Sequence, residues 1–287
     1  MQTIDRNADT AKSQATKQQV TKQQVTKQQA TKQQATKQQA TKQQTIKSQA
    51  TKSQTLKLTP QLVYLGNEKT PLIIIDDVAA DLLPIRQCAY TQAHFSADNG
   101  SFYPGVRAPL PQAYVTDVLN LVYQLIYDVY QIPSSLSIKL QALYFSLIST
   151  PACELKPLQC LPHFDTPSPH YFALLHYLND GPHGNTAFFR HIPTGFERIN
   201  EERMPDYFKS AQPLVDDITR HPSGYCVESD SHYEIYHQVE YRPNRLVIYP
   251  GNLLHSTLVN PQTDIDANPR TGRLTSNIFI EFKPSVR

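Results

Sequence analysis

Apolar positions follow two regimes along this chain. From about Ala11 to Thr55 they are sparse and recur in a five-residue unit, Thr-Lys-Gln-Gln-Ala or a close variant. A period of five matches neither the 3.6 of a helix nor the 2 of a strand, so the Ala and Val positions spiral around any helix and form no apolar face. This segment has no aromatic residue and too little apolar surface to offset the entropy of ordering. The pattern predicts a disordered or transiently helical tail over 1–57. Residues 58–287 then suit one sizeable domain with a full core.

Within that domain the texture changes once more. Pro71-Leu-Ile-Ile-Ile-Asp-Asp77 is a short β-branched run ended by acids and reads as a buried strand. Asp76 or Asp77 is placed to cap a helix over roughly Ala79 to Gln92. Phe102 to Pro111 is rich in Pro and Gly and reads as a loop, the kind of segment that often lines a site. Val115, Val118, Leu119, Val122, Leu125, Ile126 and Val129 are spaced as one face of an amphipathic helix from Ala113 to Tyr130. That helix ends before Pro133.

From Ser137 onward strands dominate. They are expected at Leu140–Ser149, Tyr171–Leu178, Gly184–Arg190, His232–Val239, Arg245–Tyr249 and Arg273–Phe282. Asn200 to about Ile218 reads instead as an inserted helical excursion. The expected class is α+β, mainly β: a barrel or jelly roll over 136–287, interrupted near 196–231, with an N-terminal helical layer over 58–135.

Charge divides along the same boundary. Residues 1–58 hold ten Lys and one Arg against two Asp, or +9, in a chain of net charge +2, which leaves the remainder at −7. A mildly acidic core argues against a nucleic-acid-binding domain. The Lys of the tail are diluted one in five and read as a solvated spacer. Cys88, Cys153, Cys160 and Cys226 form no C-x-x-C pair, which suits reduced thiols in a cytoplasmic protein. No apolar run is long enough to span a membrane, and no signal-peptide core is present.

Candidate chemistry centres on His163-Phe-Asp165. On an extended strand, residues i and i+2 point to one face, so this imidazole and carboxylate can reach the same metal ion. Alone, the tripeptide reads more readily as a polar strand end beside prolines. His255, in Tyr249-Pro-Gly-Asn-Leu-Leu-His255, and Arg273, after Gly272, change its weight. Two His and one carboxylate with open positions make the facial triad of non-haem Fe(II) oxygenases. A guanidinium offers a rigid fork matched to a carboxylate. In Tyr171–Leu178 alternation sets Tyr177 on the face opposite His176, which argues against His176 as a ligand if Tyr177 faces the site. His94, His183, His191, His221, His232 and His237 read as exposed or structural. His170 reads the same way, yet it is the strongest rival for a place in the site.

These ordered motifs resemble the 2-oxoglutarate/Fe(II)-dependent dioxygenase superfamily, in particular its prolyl-hydroxylase-like branch and a related uncharacterised bacterial family. The likeness runs from His163-Phe-Asp165 through Leu175-His-Tyr-Leu-Asn-Asp-Gly181 and Gly184-Asn-Thr-Ala-Phe-Phe189 to His255 and Gly272-Arg273. Ile73-Ile-Ile-Asp-Asp77 and Tyr103-Pro-Gly-Val-Arg107 extend it toward the front. The resemblance implies a double-stranded β-helix (jelly roll, cupin-like) with N-terminal helices packed on it. It implies Fe(II) on His163, Asp165 and His255, and 2-oxoglutarate as co-substrate held by Arg273 and Tyr177. The implied reaction is O2-dependent hydroxylation of a C–H bond coupled to decarboxylation of 2-oxoglutarate. Ninety positions separate Asp165 from His255, long for the superfamily, and the excursion accounts for them.

The substrate expected is an amino acid, a peptide or a small molecule, with Arg107, Tyr103 and His170 as candidate contacts. Two other readings stand beside this one. One is a metal-dependent cupin-type enzyme that does not use 2-oxoglutarate. The other is a non-catalytic β-helix binding module. Oligomeric state is not legible.

Overall fold

The computed structural model describes residues 59–98, 100–217 and 223–284. The repeat segment over 1–57 and His221 lie outside them.

Eight strands form one antiparallel sheet and three form a second. The large sheet runs β1 (Gln61–Leu65), β2 (Thr70–Ile75), β9 (Leu246–Pro250), β6 (Tyr171–Tyr177), β11 (Thr275–Pro284), β5 (Leu136–Ile148), β4 (Gly105–Pro109) and β3 (Ser96–Ala97). The small sheet runs β10 (His255–Thr257), β7 (Thr186–His191) and β8 (Tyr233–Val239). Helices α1 (Leu83–Thr91), α2 (Gln112–Tyr130), α3 (Met204–Ala211) and α4 (Pro213–Asp216) complete the described elements with two short 3-10 turns.

Strand alternation sorts the core into layers. Phe172 and Leu174 of β6, Ile248 of β9 and Ile278 of β11 pack with Val115, Val118, Val122 and Ile126, the buried stripe of α2. The opposite faces of the same strands, with Ala173, Leu175, Tyr177 and Val247, meet Phe188 and Val239 of the small sheet. Beyond the small sheet, Ala187 and Phe189 pack with Tyr207, Ala211 and Leu214 of the excursion. Burial of these side chains, each worth about 1.5–3 kcal/mol when complete, holds the sheets and helices together.

Three local expectations are corrected. Helix α1 starts at Leu83, not near Ala79, and neither Asp76 nor Asp77 caps it. Asp76 instead accepts from Arg245 at 2.6 Å and Arg242 at 3.1 Å, while Asp81 accepts from the Leu83 N–H. An ion pair between distant segments wins over a local cap. The Pro/Gly-rich stretch yields a strand at its centre: Gly105 to Pro109 pairs with Ile148 to Tyr144 of β5. Its prolines fall at or just outside the strand ends, where the missing N–H matters least. Regular pairing of β11 begins at Thr275, so Arg273 stands just before the strand.

A hairpin turn fixes the excursion to the sheet. Gly66 sits at φ +56°, and a Cβ there would collide with the Glu197 carboxylate. That carboxylate accepts from the Asn67 and Glu68 N–H groups and from Arg190. Among the described residues, no helix is long and apolar enough to cross a membrane.

Candidate metal centre and its cavity

His163 and His255 are brought together by the backbone. The His163 N–H donates to the His255 carbonyl at 3.0 Å and the His255 N–H to the His163 carbonyl at 2.8 Å. Residues opposed in this way share a face, and the two rings lie 4.3 Å apart, centre to centre. Two residues on, the Asp165 N–H donates to Gly251 at 2.7 Å and its carboxylate returns to that face. Asp165 Oδ1 is 4.0 Å from His163 Nε2 and 3.9 Å from His255 Nε2. All three donor atoms lie within 4.8 Å of one another. Metal bonds of about 2 Å allow donors up to about 4 Å apart, so slight side-chain rotation closes the set on one ion.

The residues fit a cation. Asp165 Oδ2 is buried and has no hydrogen-bond partner among the described residues. Burial pushes the Asp165 carboxyl up, against the pull of His255 and Arg107. An ion between the three side chains would supply the missing partner. His163 is held well below the ordinary imidazole range by desolvation, then by His255 and Arg107, which keeps it neutral as a metal ligand must be. The ring opens onto a cavity, with 58% of the side chain accessible. His255 Nδ1 donates to the Leu253 carbonyl at 2.8 Å, so Nε2 carries the free lone pair on the side of Asp165. Gly251 is required here, since a Cβ would stand 2.6 Å from the Tyr171 ring and 3.1 Å from Asp165 Oδ2.

The cavity that exposes His163 and Asp165 measures about 610 Å³. Tyr103 and Arg107 form part of its wall, as does Phe279 of β11. Tyr207 and Phe208 enter from the excursion, which closes one side. Arg107 packs 4.1 Å from the Tyr103 ring centre and donates through Nη1 to Asp98 at 2.6 Å. Burial pushes the Tyr103 phenol up to about 12, against the charges of Arg107 and Arg273. His170 does not line the cavity; its carbonyl accepts from the Phe282 N–H.

Arg273 is only 3% exposed and lies among Tyr177, Tyr241, Gly184 and Thr186. Its Nε donates to the Gly184 carbonyl at 2.9 Å, and Nη2 lies 3.5 Å from Thr186 Oγ1. No carboxylate among the described residues forms an ion pair with it. The Tyr177 hydroxyl donates to the same Thr186 oxygen at 2.8 Å. Neither Arg273 nor Tyr177 lines the 610 Å³ cavity. His176 points to the helical layer, between Tyr114 and Asn244, and burial lowers it to about 4.

Residues 56–280 match the model of a family described as Family of unknown function (DUF6445). The chain belongs to that family. No curated protein matches it. Among solved structures, this DUF6445 protein is similar to HygX from Streptomyces hygroscopicus, crystallised with nickel, 2-oxoglutarate and hygromycin B. The identity is 13%, with 76% of this chain and 87% of that one covered at a TM-score of 0.40. It is also similar to SnoN, a non-haem alpha-ketoglutarate-dependent epimerase of nogalamycin biosynthesis. There the identity is 12%, the coverage 73% and 78%, and the TM-score 0.38. A third is the Kdo hydroxylase KdoO, in complex with alpha-ketoglutarate and Fe(III), at 12% identity, 60% and 61% coverage and a TM-score of 0.32.

Several residues of the DUF6445 site carried little or no sequence signal of their own. Thr186 and Tyr241 meet Arg273 only because β7 and the segment after β8 pack over β6. Tyr207 and Phe208 gave a hint as adjacent aromatics in a charged segment. Asp98 gave none as a partner of Arg107.

Proposed function

We propose that this protein is an Fe(II)/2-oxoglutarate-dependent oxygenase that hydroxylates a C–H bond of an amino-acid, peptide or other small substrate, on a double-stranded β-helix core. The observation that carries this reading is the convergence of His163, Asp165 and His255, with a buried carboxylate oxygen left unmatched. These three side chains would hold Fe(II), leaving positions open to co-substrate and O2. Bound there with 2-oxoglutarate, the iron supplies the oxidising chemistry.

The chain's own residues would bind and orient. Arg273, buried and in no direct ion pair among the described residues although the Asp264 charge reaches it, is suited to the distal carboxylate of the co-substrate. Tyr177 and Thr186 already meet at the same guanidinium and would complete that pocket. Leu253 holds the His255 ring through its carbonyl, so the metal-facing nitrogen keeps its lone pair. Tyr207 and Phe208, on the cavity wall, would exclude water from that side. The test is turnover: full-length protein, Fe(II), O2 and 2-oxoglutarate should release succinate, and His255→Ala should abolish it. Absence of metal-dependent succinate with any substrate of these classes counts against the reading.

One observation favours a second reading, a metal-dependent jelly-roll enzyme that does not use 2-oxoglutarate. Arg273 does not line the cavity that opens on His163 and Asp165. Under that reading Arg273→Ala leaves both metal binding and activity unchanged.

A further inference from the structure

The cavity has an uneven chemistry. Aromatic rings, Phe164, Tyr171, Tyr207, Phe208 and Phe279 among them, share its wall with aliphatic and neutral polar side chains such as Gln159, Gln212 and Ser256. Asp165 is its one carboxylate among the described residues, and that group faces the two imidazoles. Arg107 is the one Lys or Arg among the described lining residues. With Asp165 committed to a metal, a ligand entering this space meets aromatic rings, neutral polar groups and a single fixed positive charge.

Strand register places that charge. Arg107 of β4 is opposite Ser146 of β5, and Ser146 is opposite Thr275 of β11. The residues beside them, Ala108, Phe145 and Leu274, belong to the helix-side core. Arg107, Ser146 and Thr275 therefore form a polar row on the other face of the sheet, toward the metal cluster.

One side-chain nitrogen of this row, Arg107 Nε, is buried without a partner among the described residues, while the Ser146 hydroxyl lies within reach of the Tyr103 phenol. The guanidinium is held on one side only. Nη1 is taken by Asp98 at 2.6 Å and Ser101 at 3.3 Å, and the Tyr103 and Tyr144 rings flank the plane at 4.1 and 5.2 Å. Clamped in this way, the fork loses little freedom on meeting an anion, and its Nε edge has no described acceptor. A buried N–H with nothing to bond is costly unless a ligand supplies the acceptor.

We propose that Arg107 is the substrate's anchor, and that the substrate class is a carboxylic acid with an aromatic or apolar body, its carboxylate on Arg107 and its body against the Tyr207, Phe208 and Phe279 wall. This deepens the oxygenase reading and rests on it for the cavity's role as the substrate site. The acid is distinct from the co-substrate, whose anchor is Arg273.

The experiment uses a matched pair of probes, 4-phenylbutyrate and 4-phenylbutyramide, titrated calorimetrically into the full chain. It is run with Ni(II) and 2-oxoglutarate present, and again without either. The acid should bind at least tenfold more tightly than the amide in both conditions. Arg107→Gln should erase that preference, Arg107→Lys should keep part of it, and neither should change 2-oxoglutarate affinity. Equal binding of the two probes to the wild-type protein, no binding of the acid, or an acid preference surviving in Arg107→Gln each overturns the assignment. Loss of 2-oxoglutarate binding in Arg107→Gln overturns it too, by making Arg107 the co-substrate anchor. An acid preference that depends on Arg107 in a protein that binds no 2-oxoglutarate supports the anchor and condemns the oxygenase reading instead.

Discussion

His163 and His255 exchange both backbone hydrogen bonds across a single isolated bridge, although ninety-two positions separate them. The bridge fixes the spacing of two imidazoles before any ion arrives. Asp165 then completes the cluster at the cost of a buried oxygen with no described partner.

That cost has a measurable sign. Asp165→Asn removes the buried charge, so the metal-free protein should gain about 1–3 kcal/mol. Thermal unfolding should rise by several degrees, at roughly 2–4 °C per kcal/mol for a domain of this size. The same variant should lose the stabilisation that added Ni(II) gives the wild type. A melting point lower than wild type without metal would falsify the idea that Asp165 is held against its own preference.

Arg273→Ala should weaken 2-oxoglutarate binding thirtyfold or more, the equivalent of roughly 2 kcal/mol for a charge-assisted pair. Metal affinity should not change, because Arg273 touches none of the three donors. Equilibrium titrations of metal and of 2-oxoglutarate on one preparation separate the two effects.

Acid should unfold the protein partly through Asp264. This buried carboxylate accepts from His183 Nδ1 and from the Gly184 and Asn260 N–H groups. Burial raises its pKa, but these bonds and the Arg273 charge outweigh that and hold it below its ordinary 3.8. A depressed folded value stabilises fully above the unfolded one, and the contribution is lost as pH falls through the folded one. Stability should therefore drop below about pH 4, and Asp264→Asn should flatten that part of the profile in denaturant titrations at stepped pH.

Glu197 should matter for stability more than its place outside the metal cluster suggests. Its carboxylate is 1% exposed and joins the β1–β2 turn to Arg190. Glu197→Ala leaves those donors unpaired and should cost about 3–5 kcal/mol. Denaturant unfolding measures this directly; a loss under 1 kcal/mol would mean that the turn finds other partners.

Much of the fold was legible because its cause is periodic. The Val115, Val118, Val122, Ile126 stripe marks α2, and alternation in β6 puts His176 toward the helices and Tyr177 between the sheets. In the site, spacing is a physical signal only where it is local; the distant candidate His255 rested on the order of motifs. His163 and Asp165 share a face by spacing alone, whereas the approach of His255 depends on a bridge between distant segments. Pairings such as Asp76 with Arg245 and Arg107 with Asp98 leave no periodic trace. The β4 strand was hidden by its prolines, since pairing with β5 overrides a composition that locally favours a loop.

In the proposed mechanism, one metal held on three side chains creates the 2-oxoglutarate site. Calorimetric titration of 2-oxoglutarate into the anaerobic full chain, with and without one equivalent of Ni(II), tests it most directly. One 2-oxoglutarate should bind per chain with metal and none without it, and His255→Ala should remove binding altogether. Binding of equal strength without metal, or a metal-loaded protein that ignores 2-oxoglutarate, would contradict the account.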